Sequence, residues 1–241
     1  MSDENDVVER EKELAARAAV EYVTSGMRVG LGSGTTSAYA VKALGERVKG
    51  GLDIVAVATS KDTQALAISV GIPMITTTVP LALDLTIDGA DEFDPELRLI
   101  KGGGGDLLHE KIVASASRRE IIIADHRKQV QVLGAFPLPV EVIPIAWTLV
   151  AKAIRGLGGN PVLRGAKGAA AGTPFITDEG NFILDCSFGP IREPEALARD
   201  LEPIPGIVEH GLFLGYASEV LLAVGDRVER ILPPQKGGAR G

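Results

Sequence analysis

Two aspartates three residues apart (Asp88, Asp91), a lysine (Lys101), four consecutive glycines (Gly102, Gly103, Gly104, Gly105) and a glutamate (Glu110) stand close together in the stretch LTIDGADEFDPELRLIKGGGGDLLHEKIVA. Carboxylates can move protons, while an ammonium and a set of convergent backbone N–H groups can meet a negative oxygen. The glycines lack Cβ atoms, so their backbone can take positive φ and approach a ligand closely. A flexible linker would also be glycine-rich, but linkers are commonly mixed with serine and lack flanking Lys and Glu. This run is pure glycine between Ile100-Lys101 and a helix start, which favours a cradle. From Asp106 the pattern is helical, and at 100° per residue Glu110 projects between Val113 and Ala114, with Lys111 and Arg118 on a different face. Apolar neighbours raise the pKa of a carboxylate, and a helix N-terminus lowers it, so two opposing influences act on Glu110. Taken alone, Glu110 reads as ordinary first-turn helix chemistry, and either aspartate alone as part of a solvated turn. The combination is what points to a site.

The elements around the stretch would position it. Leu81, Leu83, Leu85 and Ile87 recur every second residue, the period of a strand burying one face, which puts Asp88 at a strand's end. Open α/β sheets place their ligands there. Earlier, MRVGLGSGTTSAYAVKALGERV reads as a strand over 27–31, a glycine turn and a helix from about Thr36. Strand, GSGTTS, helix is the layout of a phosphate cradle at a helix N-terminus, formed here by Ser33, Gly34, Thr35 and Thr36. It has neither the Lys-Ser/Thr ending of a Walker A loop nor the G-x-G-x-x-G spacing, which disfavours nucleotides. Residues 6–24 form an amphipathic helix with Val7, Leu14, Ala18 and Val23 near one face; a second strand covers 54–58, its helix follows in TSKDTQALAISVG, and 121–124 is a short, wholly apolar strand. Strands alternating with helices argue for an α/β fold: a Rossmann-like parallel sheet with helices on both faces.

DGADE followed by IKGGGGDLLHEKIVA resembles the signature of ribose-5-phosphate isomerase, type A, and the likeness runs across nearly the whole chain. The family's phosphate loop usually reads close to GTGSTA, which GSGTTS matches chemically rather than letter for letter. After the apolar strand the family tends to have a serine before a lysine; here Arg127 takes that place and Lys128 is kept. HGLF, containing His210, belongs to a tail that in the family returns to the first domain. The resemblance implies interconversion of ribose 5-phosphate and ribulose 5-phosphate without metal or organic cofactor, by a homodimer or homotetramer. Glu110 would carry a proton between C1 and C2. Lys101 and the N–H groups of Gly102 to Gly105 would stabilise the enediolate, and Lys128 would add positive charge for the phosphate. Asp88 would open the sugar ring, with Asp91 orienting hydroxyls or Lys101.

At FPLPVEVIP, three prolines in nine residues suggest a crossing between domains. The expected division is 1–129 for the Rossmann-like domain, 130–205 for a small α+β domain, and 206–241 for the return and a disordered glycine-rich end, PPQKGGARG. In the small domain, 145–154 and 193–201 read as helices, 161–164 as a strand, and FITDEGNFILDC as a hairpin turning at Asp178-Glu179-Gly180-Asn181. Trp147 and the single cysteine, Cys186, read as core, and one cysteine excludes an internal disulfide.

Composition, 45% apolar and 24% charged, is that of a globular chain and not a disordered one. A net charge of −7 argues against a broad nucleic-acid surface, though local lysines and glycine amides can still hold a small anion. No apolar run approaches the roughly 20 residues of a membrane span. The acidic start lacks a signal peptide's apolar core, which predicts a cytoplasmic protein. A metal site among Asp88, Asp91, Glu92 and Asp94, with His109, is disfavoured by the adjacent lysine. Two other functions share this architecture: a non-catalytic sugar-phosphate sensor, and a CoA-transferase-like enzyme with a glutamate nucleophile.

Overall fold

The computed structural model describes residues 2–75 and 81–234. In chain order its elements are α1 (Ser2–Val20), β1 (Arg28–Leu31), α2 (Gly34–Lys49), β2 (Val55–Ala58), α3 (Lys61–Ser69), β3 (Leu85–Gly89), β4 (Glu92–Phe93), β5 (Leu99–Ile100), α4 (Leu107–Ser115) and β6 (Glu120–Asp125), then a 3₁₀ turn, His126–Lys128. After these come β7 (Leu138–Val142), a second 3₁₀ turn, Pro144–Ala146, α5 (Trp147–Gly156), β8 (Asn160–Leu163), β9 (Phe182–Ser187), α6 (Pro194–Leu201), β10 (Ile207–His210), β11 (Leu212–Phe213), β12 (Glu219–Val224) and β13 (Arg227–Ile231).

The main sheet has six strands in the order β13-β12-β6-β3-β1-β2, all parallel except β13, which folds back antiparallel on β12. Strand alternation sorts its side chains into two layers. Ile121, Ile123, Leu221 and Ala223 pack with Ala15, Ala19, Val41, Leu44 and Ala67 of α1, α2 and α3. Ile122, Ala124, Val220 and Leu222 face the other way, against Ala114 of α4 and the phenylalanines Phe93 and Phe213 of a three-stranded sheet, β11-β5-β4. Helices therefore cover both faces, as expected. The apolar face of α1 is rotated from the expected one: Val8, Ala15, Ala16, Ala19 and Val20 are buried, whereas Val7 is exposed. Small alanines let the helix lie close to the sheet, a preference that a count of larger apolar residues overlooks. β3 is buried on both sides because it is a central strand between β1 and β6.

A second, antiparallel sheet of four strands, β10-β7-β9-β8, forms the small domain, with α5 and α6 packing Val150, Ile154, Ala198 and Leu201 against Leu138, Val140, Leu184 and Cys186. The proline-rich FPLPVEVIP, read as a crossing between domains, holds a strand: Leu138–Val142 is wholly buried and paired on both sides. Only Pro139 lies inside it; Pro144 begins a 3₁₀ turn, where a missing N–H costs nothing. Asp178 to Gly180 do form a turn, closed by Gly180 N donating to Thr177 O and Thr177 N to Asn181 O, each at 2.9 Å. Yet β9 pairs with β7 and β8, and Thr177, before the turn, donates from its hydroxyl to Glu141 at 2.9 Å. Finally, Ile207–His210 pairs with β7, so the return to the main sheet begins after His210 and not at 206. The end of the chain from 235 lies outside the described residues. Among those residues, no helix is long and apolar enough to cross a membrane.

Candidate active site

β1 and β3 lie side by side, Leu31 opposite Ile87, and their connections leave in opposite directions along the sheet, to β2 and towards β6. That switch point opens a crevice at the strands' C-terminal ends. Close packing is needed to form it. A Cβ on Gly30 would lie 2.6 Å from Val113 of α4, and one on Gly32 would lie 1.9 Å from Oδ1 of Asp88. These two glycines of GLGSG thus serve packing, while Gly34, at φ +89°, turns the chain into α2.

The cleft is lined by Ser33, Gly34, Thr35 and Thr36, by Asp91, Lys101 and Gly102 to Gly104, by Glu110, and by Lys12, Arg127 and Lys128. Its inner end is built around Lys101, which is 2% exposed. The ammonium donates to Gly89 O at 2.5 Å, stands 2.9 Å from Asp88 Oδ2 and 3.4 Å from Glu110 Oε1, and lies over the ring of Phe213 at 5.4 Å. Burial pulls the Lys101 pKa down, but Asp88, Glu110 and Glu120 outweigh it and hold the group above an ordinary lysine. Lys101 is a fixed cation here, not a proton donor.

Glu110 sits in the first turn of α4 and is 5% exposed. Ser33 Oγ donates to its Oε1 at 2.8 Å, whereas Oε2 has no hydrogen-bond partner among the described residues. Of the two influences expected on this group, burial prevails. It pushes the pKa up to about 8, assisted by the charge of Asp88 and opposed by Lys101 and Ser33. A buried carboxylate with one oxygen anchored and the other unengaged is suited to proton transfer near neutral pH.

Asp88 is fully buried and does not line the cleft; it accepts from Gly89 N at 2.7 Å and Ser37 Oγ at 3.3 Å and backs the ammonium of Lys101. Asp91 is on the wall, accepting from Gly103 N at 2.7 Å. Gly105 is the expected loop residue that does not reach the cleft wall: at φ +107° it turns towards Phe175, whose ring would be 2.4 Å from a Cβ placed there. His210 lies away from the cleft, 3.4 Å from Lys111 Nζ, and burial together with Lys111 pushes its pKa down to about 4.

At the outer end, Ser33 to Thr36 open α2, whose first turn carries no acidic residue to oppose an anion. Lys128 lines the same cleft. Arg127 also lines the cleft, but Asp125 holds it, at 2.7 Å to Nε and 3.3 Å to Nη2. Lys12 of α1 is a further cationic wall residue, paired with Glu9 at 2.6 Å; in the sequence it stands in a helix whose pattern shows only an apolar face. The acids once weighed as metal ligands are spent separately: Glu92 accepts from the backbone of Gly134 and Phe136, Asp94 from Arg98, Asp91 from Gly103, and Asp88 faces Lys101. Elsewhere Glu11, Asp125 and His126 group within 4.8 Å, but Glu11 already accepts from Gly225 and His126, and Asp125 from Arg127.

The family model of ribose 5-phosphate isomerase A (phosphoriboisomerase A) matches residues 55–227. The chain belongs to the ribose-5-phosphate isomerase A family. Among the curated isomerase A proteins, one from Sphingopyxis alaskensis is 52% identical over 219 residues, covering 91% of this chain and 94% of its own length. Another, from Parvibaculum lavamentivorans, is 50% identical over 215 residues, covering 88% and 93%. Of solved structures, the ribose 5-phosphate isomerase A of Methanocaldococcus jannaschii superposes with a TM-score of 0.88 at 37% identity, covering 93% of this chain and 99% of that one. A D-ribose-5-phosphate isomerase solved in complex with phospho-erythronic acid superposes at 0.89 with 39% identity and the same coverage. As in isomerase A structures, a mostly parallel six-stranded sheet is joined to a separate small antiparallel one.

Proposed function

We propose that the chain interconverts D-ribose 5-phosphate and D-ribulose 5-phosphate, the reaction of its family in the non-oxidative branch of the pentose phosphate pathway, with Glu110 as the single proton-transferring base. The observation that carries the residue assignment is the environment of Glu110: buried, anchored through Oε1, with Oε2 buried and unpartnered among the described residues, against a permanent cation. The phosphate binds at the amides and hydroxyls of Ser33, Gly34, Thr35 and Thr36, with Lys128, Arg127 and Lys12 supplying charge. Oε2 of Glu110 takes the proton from C2 of the open-chain aldose. The electrons move into the carbonyl, giving a cis-enediolate whose oxygens are met by Lys101 and the Gly102 to Gly104 loop. Transfer of the hydroxyl proton from O2 to O1, with return of the carbon-bound proton to C1, gives the ketose. Since Asp88 is sealed behind Lys101, opening of the ring falls to Asp91 on the cleft wall, and Asp88 holds the ammonium in place. None of these steps requires a metal or an organic cofactor.

The homodimer or homotetramer expected of the family and a cytoplasmic location belong to the same reading. Exposed Ile143, Ile145 and Leu149 beside α5 offer an apolar face for such self-association. Incubation with ribose 5-phosphate in an EDTA-containing buffer, with ketose formation followed, tests the activity. Binding without turnover, or turnover only with an acyl-CoA donor, would overturn it.

A further inference from the structure

Arg164 follows β8 of the small domain, and its side chain is 14% exposed. Its guanidinium is clamped by Asp185, with Nε 3.0 Å from Oδ2 and Nη2 2.5 Å from Oδ1, a bidentate pair that fixes the plane of the group. The remaining nitrogen, Nη1, donates to two backbone carbonyls of the catalytic glycine loop, Gly102 O at 3.0 Å and Gly103 O at 3.3 Å. Phe175, whose ring lies 5.8 Å from the guanidinium carbon, occupies the space beside Gly105. Two residues of the small domain therefore press on a loop that belongs to the main sheet's cleft.

Peptide geometry turns this contact into an effect on the site. In a trans peptide the C=O and the following N–H point in opposite directions. With the carbonyl of Gly102 drawn to Arg164, the N–H of Gly103 must point away, and it does: it donates to Asp91 Oδ2 at 2.7 Å on the far side of the loop. By the same geometry, holding the carbonyl of Gly103 aims the N–H of Gly104 away from Arg164, towards the wall that Asp91 lines. Glycines at φ +98° (Gly102) and +107° (Gly105) have little intrinsic preference for this arrangement, so the bonds around them decide it: Gly105 N–H donates to Gly102 O at 3.0 Å within the loop, and Arg164 holds the same carbonyl from outside.

We infer that Arg164 is a positioning residue for the isomerisation: clamped by Asp185, it sets the peptide planes that follow Gly102 and Gly103, keeping Gly103 N–H on Asp91 and aiming Gly104 N–H at the enediolate. This rests on the assignment of that loop to the enediolate given above. The small domain is then part of the catalytic apparatus, acting through one guanidinium.

The test compares Arg164→Met and Arg164→Lys with the parent chain. Arg164→Met is expected to lower kcat by about tenfold to a hundredfold, the effect of misplacing an oxyanion donor. KM for ribose 5-phosphate and competitive inhibition by inorganic phosphate are expected to stay within about threefold, because the phosphate loop is untouched. Affinity for 4-phospho-erythronic acid, whose carboxylate mimics the enediolate oxygens, should fall in proportion to kcat/KM, and Arg164→Lys, keeping one donor, should recover part of both. Unchanged kcat in Arg164→Met, or phosphate and acid affinities falling together, would overturn the inference. Should Arg164→Met fail to fold, Arg164→Lys and Asp185→Asn carry the same comparison of kcat with acid and phosphate affinity. Glu110→Gln in the same series separates the two levels. If it is inactive while Arg164→Met is fully active, only the role of Arg164 fails; if it retains full activity, the site assignment itself fails.

Discussion

The hydroxyl of Ser33 donates a 2.8 Å hydrogen bond to Oε1 of Glu110, joining the loop after β1 to the first turn of α4. The loop proposed to hold the phosphate and the proposed base are thereby one unit. A donor to a carboxylate favours its ionised form, so this bond restrains a pKa that burial has pushed up to about 8. The base must be ionised to accept a proton, so kcat/KM should rise with pH through about 8. Ser33→Ala should move that ascending limb to higher pH by about one unit, the worth of a hydrogen bond to a charged group. A pH–rate profile of both proteins checks the direction; a limb that moves down would refute the role of this hydroxyl.

Glu110→Gln keeps the shape of the side chain and its contact with Ser33 but removes the carboxylate proposed as the base. Turnover should fall by about 10²–10⁴-fold. Protection against thermal unfolding by inorganic phosphate should persist, since the phosphate loop is intact.

Lys101→Met leaves Asp88 and Glu110 buried without the cation that faces both. Beyond losing activity, the protein should lose about 3–5 kcal/mol of stability, the usual cost of stranding a buried charge. Urea unfolding at pH 8 measures it. The loss should shrink in mild acid, where Glu110 takes up a proton while the protein is still folded.

Lys128 lines the cleft and is proposed to serve the phosphate. Lys128→Ala should raise KM about tenfold or more with kcat little changed, the signature of lost uniform binding. Initial rates over a substrate series decide this, and a fall confined to kcat would contradict the assignment.

Glu120 is buried at the start of β6, with neither carboxylate oxygen hydrogen-bonded among the described residues. Burial pushes its pKa up to about 8, with Lys101 opposing and Asp88 assisting. A carboxyl whose folded pKa is raised binds its proton more tightly when folded. It therefore withdraws stability as pH climbs from the ordinary carboxylate range to about 8. Glu120→Met, similar in volume and uncharged, should stabilise the chain by about 1–3 kcal/mol at pH 8.5 and by less at pH 5. Denaturant midpoints at the two pH values provide the check.

Much of the main sheet was legible in the sequence, because a parallel strand buried on both faces is an apolar run and each crossover helix carries a periodic stripe. The same holds for the cleft: Ser33 to Thr36, Asp91, Lys101, Gly102 to Gly104 and Glu110 announce themselves by type and spacing around strand ends and glycine turns. Only the tertiary structure decided what depends on distant chain meeting in space. Leu138–Val142 is a central strand despite its prolines, because strands from far along the chain cover both of its edges. Lys12 reaches the phosphate end from a helix whose pattern advertised only packing. Asp88 lies behind Lys101, not on the cleft wall, and Arg164 reaches the glycine loop from another sheet. The ionisation of Glu110 was a contest between helix dipole and burial, and local sequence sets only the first. Desolvation is a property of the assembled fold, and it is the largest influence on this group, ahead of Lys101.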